Sequence, residues 1–216
     1  MVQHIRKYTP SYAVLGGMVL VLVFLTAFGT LIQTPKYRSQ TKLLLKQQYG
    51  PGFDPYNITK ATEYYSNLFS EVVFSQEFFN DVMAQDPRIQ QNFFPTSAEQ
   101  RTMLWRKTVS ASPTGDTGIL TITVYHPLRG QAEALSAAIA NVLTSKGADF
   151  HGVGDRLQIQ TIDGPVTSEK PVSPVLWLNT VVALLLGSML AVGWKLFAST
   201  SGHTHTMVHE EEYFLK

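Results

Sequence analysis

Hydrophobic and polar positions divide this chain into two almost charge-free blocks, one toward each end, and a polar middle that carries most of the charge. Residues 13–32 include no charged side chain. At about 1.5 Å per residue, a helix of that length spans the roughly 30 Å hydrocarbon layer of a bilayer. Arg6 and Lys7 precede the block, as in a cleaved secretory signal. The apolar run is long for a signal, however, and no small-x-small cleavage site follows Ile32, so a retained anchor is expected. Residues 175–193 form a second uncharged stretch, entered through Pro171 and Pro174 and left through Trp194 and Lys195, an interfacial ring and a cation that can reach the water boundary. Most soluble helices keep a polar face, and neither block has one. Two crossings put both termini on the same side.

Between the blocks the period of the pattern changes several times. Tyr37, Ser39, Thr41, Leu43 and Leu45 share one side of a strand over residues 37–45, which ends at a turn over residues 49–52. After Asp54 and Pro55, the steps of three and four through Ile58, Ala61, Tyr65, Leu68 and Val72 predict a helix. Ser75 can cap a second helix carrying Phe78, Phe79, Val82 and Met83; Ser97 with Gln100 forms a capping box for a third near Met103 and Leu104. Residues 108–112 and 119–125 read as a hairpin joined by a loop rich in turn residues. His126 and Pro127 start an alanine-rich helix to about Gly147, with Ala132, Leu135, Ile139 and Val142 on its apolar stripe. Beyond a glycine-rich turn at 152–154, the alternation of Leu157, Ile159, Thr161 and Asp163 predicts a last strand. The expected fold class is therefore α+β: two transmembrane helices flank a mixed-sheet extracytoplasmic domain with helices, in the order β-ααα-β-β-α-β. The division is an N-terminal segment 1–12, a helix 13–32, a domain 33–174, a helix 175–197 and a flexible tail 198–216.

Composition narrows the functional classes. A net charge of +1 from 17 basic and 16 acidic residues is too weak a field to hold nucleic acid through its phosphates. The absence of cysteine excludes disulfide frameworks, thiolate metal sites and thiol nucleophiles. No carboxylate pair, triad or phosphate loop stands out, so neither catalysis nor a cofactor is expected. Gly152 and Gly154 lack the third glycine and the strand-to-helix setting of a dinucleotide fingerprint, and Asn57 to Thr59 matches a glycosylation acceptor by chance.

The order of elements, with particular residues at its joints, resembles the polysaccharide co-polymerase or chain length determinant family. The resemblance rests on Pro35, Lys36 and Tyr37 with a strand directly after the first block, the Ser75 step into a helix, and Thr117 to Val124 leading into His126 and Pro127. It continues through Ala138, Ile139, Ala140 and Asn141 on the next helix, then Asp163, Gly164 and Pro165, and Lys170 to Pro174 before the second block. It covers most of the chain to about residue 197. Such proteins are ring-forming and inner-membrane, hold both termini in the cytoplasm, influence how long a surface polysaccharide grows, and have no catalytic centre. The resemblance therefore implies a homo-oligomer in contact with membrane lipid, a polysaccharide polymerase and the growing glycan. The helices between first strand and hairpin are short and broken, as in compact members that accompany capsule or exopolysaccharide synthesis and modulate a cytoplasmic tyrosine kinase; this argues against a length-ruler mechanism. The cations Lys36, Arg38, Lys42 and Lys46 outnumber Arg6 and Lys7, opposite to an exported loop, but long loops translocate largely regardless of charge. The competing class is a scaffolding membrane protein of an envelope machine without a glycan role.

Several residues are candidates for these interactions. Ala183, Gly187 and Ala191, and Ala13 and Gly17, are small residues at spacing four that let helices approach closely in lipid. Pro35, Tyr37, Pro165, Pro171 and Pro174 mark the membrane-proximal joints. Tyr64, Arg101 and Arg106 are candidate glycan or subunit contacts. In the tail, Glu210 to Glu212 precede Tyr213, a candidate docking or phosphorylation site for a cytoplasmic kinase. His203, His205 and His209 could ligate zinc or copper, yet a flexible terminus would have to be ordered first, so no metal is expected.

Overall fold

The computed structural model describes residues 11–47, 54–115, 117–151 and 157–200. In chain order the elements are α1 (Tyr12–Ile32), β1 (Tyr37–Gln47), α2 (Pro55–Val72), α3 (Gln76–Gln85), a 3-10 turn (Gln91–Phe93), α4 (Ala98–Thr108), β2 (Val109–Thr114), β3 (Ile119–His126), α5 (Arg129–His151), β4 (Leu157–Thr167) and α6 (Leu176–Thr200). They fall into two compact units, one containing α1 and α6 and the other running from Pro35 to Ser173.

In the first unit, α1 over its whole length and α6 over Leu176–Ala198 are long and apolar enough to cross a membrane. Four of their hydroxyls bond within their own helix: Thr26 and Thr30 donate to the carbonyls of Leu22 and Thr26 at 2.8 and 2.7 Å, and Thr180 and Ser188 donate to Leu176 and Leu184 at 2.9 and 2.7 Å. The helices pack antiparallel, because Asn179 Nδ2 donates to Thr30 Oγ1 at 3.2 Å while Lys195 Nζ lies 3.7 Å from the ring centre of Tyr12 at the opposite end.

The second unit is built on a four-stranded sheet of order β2-β3-β1-β4. Ser39, Thr41, Leu43 and Leu45 of β1 are buried, as the alternation predicts, and face Val124, Ile122 and Leu120 of β3 on the same side. Helix α5 covers this side with Ala132, Leu135, Ile139 and Val142, all four buried. Phe78, Phe79, Val82 and Met83 of α3 join the same core. A hydroxyl pair, Thr41 Oγ1 and Ser136 Oγ at 2.8 Å, ties sheet to helix inside it. Each would otherwise be a buried polar group without a partner, at a cost of about 1–3 kcal/mol.

Four expectations are corrected. The sheet is antiparallel throughout rather than mixed. The α5 crossover joins β3 to β4, but β1 inserts between them and pairs antiparallel with both. Helix α5 starts at Arg129, because His126 is still the last residue of β3. On α2 and its C-cap the buried line is Ser66, Phe69 and Val73, one residue round from the Tyr65, Leu68 and Val72 stripe, which is half-buried. Ser75 caps α3, its Oγ accepting from Phe78 N at 3.2 Å, whereas Ser97 sits at the N-cap of α4 without a side-chain bond, so the capping box does not form. The turns at 49–52 and 152–154 lie outside the described residues.

Candidate functional site

The proline joints lie where the first and last strands of the domain meet. Lys36 N donates to Ser173 O at 2.9 Å, and Val172 N donates to Lys36 O at 2.8 Å. Ser168 N donates to Arg38 O at 2.8 Å, and Arg38 N donates to Ser168 Oγ at 3.0 Å. These bonds extend the β1–β4 pairing past the end of β4, so the two chain segments at Pro35 and Pro171 are held side by side. Pro165 falls where the register shifts between Gln40/Val166 and Lys42/Asp163, a position where its missing N–H interrupts no ladder bond. Its neighbour Gly164 has φ of 130° and packs against the Thr41 backbone, at a peptide bond to Pro165 that is cis. Tyr37 is half-buried opposite His126, and Pro174 belongs to the other unit.

The small residues of α6 face α1. Ala183 and Ala191 are buried, and a Cβ on Gly187 would sit 3.3 Å from Val19 Cγ1. Ala13 is exposed, and a Cβ on Gly17 would meet nothing within 4 Å. The seam within the chain therefore uses the α6 residues and leaves the α1 pair outside it.

Tyr64, Arg101 and Arg106 lie on α2 and α4, and the structure does not gather them. Tyr64 is exposed and meets Tyr65 edge-on at 5.2 Å between ring centres. Arg106 lies over Phe74 at 4.4 Å, and Arg101 lies over Phe79 at 5.3 Å. Among the described residues no hydrogen bond or ring contact links Tyr64 to either arginine.

Arg101 alone borders a pocket of about 360 Å³, whose other walls include Phe79, Asn80 and Met83 of α3 and Gln91, Phe94 and Thr96 of the following segment. Phe79 and Phe94 form its floor, packed edge-on against each other and against the buried Trp105, with ring centres 5.1–5.6 Å apart. The loop leading to this segment is fixed at both ends. Arg88 Nε and Nη2 donate to the Asp86 carboxylate at 2.7–3.0 Å, while Gln131 accepts from Gln90 N and donates to Arg88 O, both at 2.9 Å. The same pairing holds the Asp86 carboxyl below its usual range and raises Arg88 further. The sequence reading missed Asn80, Gln91 and Phe94; the pair Phe93 and Phe94 before Pro95 and a helix start was the available signal.

His126 is buried, and Nδ1 accepts from Leu128 N at 3.0 Å as the chain turns from β3 into α5. Burial lowers its pKa, nearby Lys36 lowers it further, and the N–H that Leu128 donates to Nδ1 favours the neutral ring in the same direction. Among the described residues no group of three His, Asp or Glu could hold a metal ion. Tyr213, His203, His205 and His209 lie outside the described residues. Compared with known proteins, the chain matches no family model and no curated protein sequence.

Proposed function

We propose that this chain is an oligomeric, non-enzymatic membrane protein that regulates the polymerisation and chain length of a surface polysaccharide. In this reading α1 and α6 cross the inner (plasma) membrane, both termini are cytoplasmic, and the domain between them faces the periplasm or exterior. The observation that carries it is the element order β-ααα-β-β-α-β between two apolar helices, the order on which the resemblance to polysaccharide co-polymerases rests. The bonds that hold Lys36 beside Ser173 support it further, because they give one domain a paired base from which both chain segments leave. A ring of such subunits presents one weak glycan or polymerase contact many times, and avidity then supplies what a single contact lacks.

The test is removal of the chain from cells that make a surface polysaccharide, with the polymer sized on gels. A shifted length distribution, restored by the intact chain, is expected, together with a detergent-extracted mass of several subunits. An unchanged distribution would exclude the glycan role and leave a scaffold. Deleting residues 203–216 tests the kinase contact at Tyr213 separately: unchanged polymer output would count against it.

A further inference from the structure

The pocket beside Arg101 combines three kinds of chemistry. The first is a guanidinium with charge to spare. Among the described residues the ion pairs are Lys42–Asp163, Lys60–Glu63, Arg88–Asp86 and Lys146–Asp81, and Arg101 is in none of them. The groups it touches are neutral: the face of Phe79, and the amide oxygen of Gln76, which accepts from Nε and Nη2 and leaves the Nη1 end of the guanidinium for a ligand. The second is a set of uncharged polar groups on the walls. Gln91 uses its Nε2 on Met83 O at 3.3 Å, which leaves its oxygen as an acceptor. The side chains of Asn80 and Thr96 form no hydrogen bond among the described residues. The third is apolar surface at the floor, where Phe79, Met83 and Phe94 are each 7–8% exposed.

A planar fork suits a carboxylate, two amides and a hydroxyl suit ring hydroxyls, and a small apolar floor suits the C–H face of a pyranose. One cation with neutral walls is a poor match for a phosphate group carrying nearly two charges, and the polar walls are a poor match for a purely apolar ligand. The volume lies near the lower end of the range of about 300–1,000 Å³ for small-molecule sites, which fits a short saccharide unit rather than a long chain. We propose that this pocket binds a carboxylate-bearing sugar residue, with the acid on Arg101 and the hydroxyls on Asn80, Gln91 and Thr96. The inference deepens the function proposed above and rests on it for the source of the sugar, the growing glycan.

The full chain in detergent micelles is titrated with D-glucuronate, with glucose and acetate as controls, and binding is followed by saturation transfer to the sugar protons. Glucuronate should bind, and Arg101→Gln should weaken it by about tenfold or more, the scale of a lost charged hydrogen bond. Glucose should bind more weakly and be indifferent to that change. If Arg101→Gln fails to fold, Asn80→Leu, on an exposed helix position, fills the pocket instead and should also abolish binding. Three results would overturn the site: no transfer to glucuronate, equal binding of acetate, or glucuronate binding unchanged in the variants. Glucuronate binding with an unaltered polymer length in cells lacking the chain would leave the pocket and remove the function; the converse would remove the pocket alone.

Discussion

Trp105 Nε1 donates to the carbonyl oxygen of Val73 at 2.8 Å, with both residues buried. Val73 follows the last turn of α2, whose terminal carbonyls have no partner inside the helix, so a side chain of α4 completes α2. Trp105→Phe should destabilise the domain by about 1–3 kcal/mol, because it leaves that carbonyl unpaired. Denaturant unfolding followed by circular dichroism measures the loss, and an unchanged midpoint would show that the bond contributes nothing.

Gly164 and Gly130 should respond in opposite directions to alanine. At Gly164, with φ of 130°, a Cβ would lie 2.7 Å from Thr41 Cα. Alanine there should cost about 1–3 kcal/mol from backbone strain, with the clash in addition. Gly130 lies in α5 with nothing within 4 Å of its added Cβ, and alanine there should stabilise by about 0.5–1 kcal/mol. Thermal melts of the two variants side by side check both signs.

The α1–α6 seam should depend on Gly187 and not on Gly193. A leucine at 187 must displace Val19, whereas a Cβ at 193 meets nothing within 4 Å. Because the chain contains no cysteine, Thr30→Cys with Asn179→Cys reports helix proximity through the yield of oxidised, linked peptides in mass spectrometry. The yield should fall with Gly187→Leu and hold with Gly193→Leu.

His126 should make stability depend on pH. Its folded pKa lies below the ordinary 6.5, so between those two values the unfolded chain binds more protons than the folded one. Stability is therefore full above about pH 6.5 and falls as the pH drops through the window beneath it. Protonation also removes the Nδ1 acceptor used by Leu128 N. His126→Phe should lower stability at pH 8, where that N–H loses its partner, and flatten the slope between pH 5 and 7. Unfolding midpoints across this range measure both effects.

What the sequence determined by itself is what a local period encodes. The two apolar helices, the buried face of β1 at Ser39 to Leu45 and the stripe of α5 at Ala132 to Val142 were legible because hydropathy and side-chain direction, which repeats every 2.0 or 3.6 residues, are local whatever the chain packs against. The Ser75 cap was legible for the same reason, since its partner is three residues away. Only the tertiary structure decided that β1 stands between β3 and β4, that Ser136 meets Thr41 across 95 residues, that α2 turns Phe69 rather than Leu68 inward, and that Arg101 borders a pocket floored by Phe79 and Phe94. Each of these depends on which distant surfaces bury one another. An apolar stripe announces that a face will be covered, but the identity of its cover follows from the competition among all such faces in the folded chain.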